Sequence, residues 1–355
     1  MDEAEAKSLV ERCLPHFAQA GLKALTATNI ADVQAKAIAS LWAGMGNVYK
    51  LTVSSAVPGD PPVSIVAKCV ELPTGRLSIG DQRKKDSYDV EAAFYSKGHA
   101  ERLIAAGAIV PAPLHVEKKG DNVTICMTQV DGRSSARGDS EAFVGWLAKL
   151  HATYWGSSRA DAAVASGLQA QGCYWHLDTR PDEHARMGSS GWMGRLKLAA
   201  RAIDQRLKAD PMQSVCHGDA KGANILYGTG EGGECVPLVY DFQYCGKACV
   251  TKDLAYFFNV EARSGDETSL LSLYHETLSK LLTAQKEAPP SLEALRTSHE
   301  LALCDWRRFS EIGLGGWGDS GATRRVIAVL DRLDGGKALK DEQAYVEAVK
   351  REFPV

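Results

Sequence analysis

The chain has 355 residues, 45% hydrophobic and 24% charged, which is the composition of an ordinary globular protein with room for a sizeable core. Its 41 Lys and Arg against 44 Asp and Glu leave a formal net charge of −3, so nothing in the bulk charge draws it to nucleic acid or an anionic membrane. Nine cysteines without a C-x-x-C pair exclude a zinc ribbon or a thioredoxin-type motif and read as free thiols of a reducing compartment.

The acidic, amphipathic start MDEAEAKSLVERCLPHF is unlike a secretory signal. No apolar run approaches the roughly 20 residues of a membrane span, and REFPV matches no retention or lipidation signal. A cytoplasmic address is expected. Residues 2–20 read as a helix, with Leu9, Val10, Leu14 and Phe17 on one face. Leu41–Val53 and Val63–Val70 read as strands joined by a turn over Ser54–Pro62, where Pro-Gly-Asp-Pro-Pro breaks the pattern. A helix is predicted over Asp86–Ala106, with Val90, Ala93 and Phe94 on one face. Two short strands, Leu114–Lys118 and Val123–Gln129, flank a Lys-Gly-Asp-Asn turn.

Beyond Val130-Asp-Gly-Arg-Ser-Ser the pattern turns helical. Ala142–Tyr154 carries Phe143, Trp146, Leu147 and Leu150 on one face, and further helices are predicted near 191–208, 265–285, 291–311 and 322–333. One hairpin interrupts them: Val215–Tyr227, a glycine-rich turn over Gly228–Gly233, and Val236–Phe242. The predicted fold is therefore α+β and bilobal. A small N-terminal lobe spans 1–129, made of a helical extension over 1–37 and a β-sheet with one key helix over 38–129. A linker at 130–138 leads to a larger, mainly helical lobe over 139–355.

The chemistry concentrates in His217-Gly-Asp219-Ala-Lys221-Gly-Ala-Asn224, followed by Asp241-Phe242-Gln243. Phosphoryl transfer needs positioning and charge neutralisation, usually by Mg²⁺ held on hard oxygens, together with a carboxylate that accepts the proton of the attacking hydroxyl. Asp219 can be that base, and Asn224 and Asp241 can be the metal ligands. A hairpin centred near Glu231 would put Asn224 roughly opposite Leu238, three residues from Asp241, so that both oxygens project near one mouth of the hairpin.

These motifs resemble the protein-kinase-like phosphotransferases of small molecules, which include aminoglycoside phosphotransferases, choline kinases and the ecdysteroid-kinase-like group. His217, Asp219 and Asn224 match their H-x-D-x-x-x-x-N. Asp241-Phe242-Gln243-Tyr244 matches their metal-binding segment, and Asp253-Leu-Ala-Tyr-Phe-Phe258 a further aspartate at a helix start. The resemblance spans about 40 to 330 and implies a bilobal protein-kinase-like fold with ATP and Mg²⁺ between the lobes. The acceptor, a small-molecule hydroxyl of choline, steroid or aminoglycoside type, would lie against the helical lobe. It further implies that Lys68 binds the α- and β-phosphates, that Glu91 pairs with it, and that Gly44-Met-Gly46-Asn47 forms the loop over the phosphates. Leu147-Ala-Lys-Leu-His151 stands where the helix after the linker would be. His217 would hold the catalytic loop through backbone hydrogen bonds. Lys221 stands where some protein kinases carry a γ-phosphate lysine, yet only eleven residues separate Asp241 from Asp253 and no A-P-E follows, which argues against a protein substrate.

Blander readings stand beside these. Asp219, Asn224 and Asp241 could be turn or cap residues. Lys68 could face water on an edge strand, Gly44 and Gly46 could merely mark a hairpin, and Asp253 could cap its own helix. Gly228-Thr-Gly230-Glu-Gly-Gly233 has the letters of a dinucleotide fingerprint but joins two strands, and Asp319-Ser320-Gly321 lacks the rest of a nucleophile elbow. Trp175, Tyr244, Trp306 and Trp317 could form a cage for a quaternary ammonium, but such residues more often make core or groove walls. A pseudokinase that binds without transfer is the rival from another class, and a protein kinase the third reading.

Overall fold

The structure is a computed structural model that describes every residue except 24, 73–76, 137, 262–266, 314 and 317–320. Trp317, Asp319 and Ser320, residue 137 of the expected linker and the first two residues of the helix expected at 265 thus lie outside the described residues. The chain divides into two compact units. The first is Met1–Arg133 with Leu238–Gln243, and the second is Ser134–Pro237 with Tyr244–Val355.

In the first unit, Asp2 opens α1 (Glu3–Cys13) through a capping box with Glu5. The helix stops well short of residue 20 because Pro15 has no N–H to continue it, and a short 3-10 turn takes over at Leu14–His16. A five-stranded antiparallel sheet follows, built from β1 (Ile30–Ser40), β2 (Gly46–Ser55) and β3 (Val63–Val70), then α2 (Ile79–Ser96), α3 (His99–Ala105), β4 (Pro113–Lys119) and β5 (Asn122–Thr128). The spatial order is β1-β2-β3-β5-β4. Leu9, Val10 and Phe17 meet Val33, Leu51, Val53, Ile65, Ala67, Leu114 and Cys126 in one buried cluster.

Three sequence expectations need correction here. The segment to residue 37 is not all helical, since β1 begins at Ile30. Its alanines have little strand preference and only Val33 is buried, so the strand exists by pairing with β2 rather than by local pattern. The strand expected from Leu41 begins at Gly46, after a 3-10 turn at Trp42–Gly44. The helix expected over 86–106 starts instead at Ile79, capped by Ser78 with Asp81. It breaks at Gly98, whose φ of 79° is left-handed.

Gly46 is constrained twice. Its φ is 115°, and a Cβ there would lie 2.0 Å from the Cys69 carbonyl oxygen across the β2–β3 pair. Gly46→Ala should therefore cost about 2–3 kcal/mol, read as a lower melting temperature, whereas Gly44→Ala, in open space at φ 72°, should cost about 1 kcal/mol. Equal melting points for the two variants would disprove the clash.

The second unit is mainly helical: α4 (Asp139–Thr153), α5 (Ser157–Ala165), α6 (Pro181–Arg186), α7 (Gly191–Ala209), then β6 (Gln213–Cys216), β7 (Ile225–Thr229), β8 (Cys235–Val239) and β9 (Gly246–Cys249), and finally α8 (Thr251–Val260), α9 (Glu267–Ala284), α10 (Leu292–Gly313), α11 (Gly321–Asp334) and α12 (Glu342–Glu352). The last two residues of β8 belong to the first unit. α4 lies against α9, α7 against α10 and α12, and α10 against α8 and α11. The strand expected over Val215–Tyr227 is two strands with different partners. β6 pairs antiparallel with β9, and only β7 forms the hairpin with β8. Among the described residues no helix is long and apolar enough to cross a membrane.

Candidate active site

Lys68 sits on β3, the middle strand of the sheet, with Val48 and Ile125 as its flanking partners, so the edge-strand reading does not apply. It is 7% exposed. Its Nζ lies 2.5 Å from Glu91 Oε2 on α2 and 3.2 Å from Asp241 Oδ1. Burial alone would lower the lysine's pKa, but the Asp241 and Glu91 carboxylates outweigh it, raise the pKa and hold the ammonium charged. Asp241 stands two residues beyond the end of β8 and has φ 67°, a conformation that costs a non-glycine residue energy and persists only where the surroundings impose it. Phe242 stacks on Phe94 of α2 with ring centroids 3.7 Å apart and planes within 7°. Gly44, Gly46 and Asn47 lie at the β1–β2 turn, closed by Leu41 N–H donating to Gly46 O at 2.9 Å, and Asn47 pairs with Cys69 beside Lys68.

The second unit carries the other predicted residues. Between β6 and β7 the chain makes a loop that ends in a 3-10 turn at Gly222–Asn224. Asp219 is 4% exposed, and both of its carboxylate oxygens are engaged. Oδ1 accepts from the Tyr256 hydroxyl at 3.0 Å. Oδ2 accepts from Asn224 Nδ2 at 3.1 Å and pairs with Lys221 Nζ at 2.9 Å. Asn224 Nδ2 also donates to the Asp219 carbonyl at 2.9 Å. The Asn224 amide is thus fixed with its nitrogen on Asp219, and its oxygen is the acceptor left for another partner. His217 Nδ1 accepts from Asp219 N–H at 3.3 Å, a bond inside the loop.

Asp253 does not cap its own helix. From the first turn of α8 it accepts the backbone N–H groups of His217 at 2.7 Å and Gly218 at 2.9 Å. His151 Nε2 lies 3.3 Å from Asp253 Oδ2, and Tyr274 reaches His151 Nδ1 at 2.7 Å. The ligand atoms of His151, Cys216 and Asp253 fall within 4.8 Å of one another, but those of His151 and Asp253 are occupied with this anchoring of the loop.

Among the described residues, Trp175, Tyr244 and Trp306 form no cage, and the core reading holds for the two tryptophans. Trp175 and Trp306 are fully buried in the core. Lys252 Nζ stands 4.4 Å over the Trp175 ring and is paired with Asp305 at 2.8 Å. Tyr244 instead packs on Tyr174, whose hydroxyl is 3.4 Å from that of Tyr256. Sequence reasoning passed over Tyr256 and Gln243. Tyr256 lies three residues beyond Asp253 on the same helix face, and Gln243 belongs to the Asp-Phe-Gln triplet itself, so both signals were available.

The chain matches the model of the phosphotransferase enzyme family (APH) over residues 83–295. No curated protein sequence matches it. Among solved structures it is similar to a microcompartment-associated aminopropanol kinase at 12% identity, covering 97% of each chain with a TM-score of 0.46. It is also similar to a choline kinase from Streptococcus pneumoniae at 13% identity, covering 85% of this chain and 94% of that one with a TM-score of 0.42. A thermostable mutant of an aminoglycoside phosphotransferase, in ternary complex with ADP and hygromycin B, matches at 13% identity over 92% of this chain and 97% of its own, with a TM-score of 0.42. With more than half of its length matched by the family model, the chain belongs to the phosphotransferase enzyme family, the protein-kinase-like phosphotransferases of small molecules whose motifs it shares.

Proposed function

We propose that this phosphotransferase moves the γ-phosphoryl group of ATP to a hydroxyl of a small molecule, with Asp219 as the general base. The observation that carries the proposal is the state of Asp219, a buried carboxylate held in one orientation by Tyr256, Asn224 and Lys221. A base must be fixed before it can take a proton from an attacking oxygen, and this carboxylate is fixed from both sides. Lys221 would serve the γ-phosphate, and the charged Lys68, steadied by Glu91, the α- and β-phosphates. Gly44, Gly46 and Asn47, at a tight turn beside the Lys68 strand, would lie over the phosphates.

The donor chemistry fits magnesium. Asp241 offers a partly exposed carboxylate and Asn224 an amide oxygen, both hard oxygen ligands, and we assign the ion to these two residues. Bound there, magnesium would neutralise charge on the transferring phosphoryl group. His217 and Asp253 would act on the loop backbone and not on substrate. The acceptor is a choline-, steroid- or aminoglycoside-like alcohol.

Incubated with ATP, Mg²⁺ and a panel of such alcohols, the enzyme should consume ATP only with its own acceptor, and mass spectrometry should find one added phosphate on that alcohol. Silence across the panel, with no nucleotide uptake in calorimetry, would favour a pseudokinase. Phosphate appearing on a peptide array instead would favour a protein kinase.

A further inference from the structure

Gln243 is 4% exposed, and both ends of its amide are committed. Oε1 accepts from Lys84 Nζ at 2.6 Å and lies 3.1 Å from Ser87 Oγ, whose single hydrogen is shared with the Lys84 carbonyl at 2.7 Å; both residues are on α2. Nε2 donates to Asp241 Oδ1. The orientation is chemically forced. A lysine ammonium has no acceptor, so the amide oxygen must face Lys84, and the nitrogen is left to face a carboxylate that can only accept. Lys84, Ser87 and Glu91 follow one another at helical spacing along one face of α2. That face therefore reaches Asp241 by two routes, through Glu91 and Lys68 on one side and through Gln243 on the other. Both routes end on the same oxygen, Oδ1.

The backbone explains why such a clamp is useful. Asp241 has a left-handed φ of 67°, which relaxes unless its surroundings over-determine it. Phe242, stacked on Phe94, fixes the main chain one residue on, but it does not touch the carboxylate's rotamer. Gln243 does.

We propose that Gln243 is a positioning residue for Asp241, tying its carboxylate to α2 so that the second oxygen is presented to the metal–nucleotide in a fixed place. This rests on the assignment of Asp241 as a magnesium ligand. Gln243→Glu keeps the acceptor for Lys84 and Ser87 but replaces the donor to Asp241 with a like charge. Gln243→Leu removes both ends.

Calorimetry with a non-hydrolysable ATP analogue, titrated with and without Mg²⁺, separates the roles. In both variants the Mg²⁺-dependent affinity should fall by about tenfold or more, the usual cost of losing a partner that orients a metal ligand. The metal-free affinity should stay close to wild type. Ser87→Ala, a milder change that guards against misfolding of the others, should lose about threefold, one neutral hydrogen bond. Hydrogen exchange on the nucleotide-free protein should show faster exchange over residues 82–92 in Gln243→Leu and wild-type protection in Gln243→Glu, where the helix contact survives. Wild-type Mg²⁺ dependence in both Gln243 variants, beside its loss in Asp241→Asn, would overturn this inference alone. Wild-type dependence in Asp241→Asn as well would overturn it together with the magnesium assignment.

Discussion

Asp219→Ala should lose about a hundredfold or more in kcat, the usual worth of a positioned general base, while nucleotide affinity stays near wild type. The side chain removed is the one on which Tyr256, Asn224 and Lys221 converge. Deleting it leaves three donors without their shared acceptor. Each has a fallback. Tyr256 is 3.4 Å from the Tyr174 hydroxyl, Asn224 keeps the Asp219 carbonyl, and Lys221 is partly exposed to water. The variant should therefore fold, and a melting temperature within a few degrees of wild type would show that it has. A folded Asp219→Ala with near-normal turnover would remove the base from this residue. A loss confined to KM for the acceptor would make Asp219 a binding group instead.

The parts of this machinery that were legible in the sequence are those whose chemistry is local. His217 to Asn224 fall within one short loop, and Asp241 stands at the head of a recognisable triplet, so charge type and order are enough to nominate them as candidates. The pairing of Lys68 with Glu91 is what the family resemblance implies, and the need of a lysine in an apolar strand for a carboxylate partner agrees with it. What escaped was decided by partners distant along the chain. β1 has few strand-forming residues and is a strand because β2 lies beside it. The sequence pattern runs β6 into the neighbouring hairpin, because nothing in Gln213–Cys216 announces that its partner is Gly246–Cys249, across the whole loop and hairpin. The tryptophans leave two readings open in the sequence, a cage or a core. An aromatic residue near a catalytic motif looks the same whether it lines a site or fills a core, and burial assigns Trp175 and Trp306 to the core.

Asp253→Asn should be the most destabilising conservative change in the second unit, costing about 3 kcal/mol, as expected when a buried charged acceptor is lost from its donors. Asp253 is fully buried and takes the N–H groups of His217 and Gly218 together with His151 Nε2. An asparagine offers one oxygen to these donors and turns its NH₂ against the rest. Burial pushes the Asp253 carboxyl up, but the hydrogen bond from His151, the fields of His151 and His217, and the Gly218 amide outweigh it and hold the group below its ordinary value. The sign follows from that direction. A carboxylate whose folded pKa is depressed contributes stability above its unfolded value, near 3.9, and loses it as pH falls through the folded value. The gap in unfolding free energy between wild type and Asp253→Asn should therefore be full at neutral pH and narrow only below about pH 4. The activity should fall further than the folded fraction does. Asp253 holds the two residues that immediately precede Asp219, and His217 in turn accepts the Asp219 N–H, so loosening the anchor moves the base. If the folded variant kept wild-type kcat, Asp253 would be a stabilising residue only, and the loop would hold its shape without it.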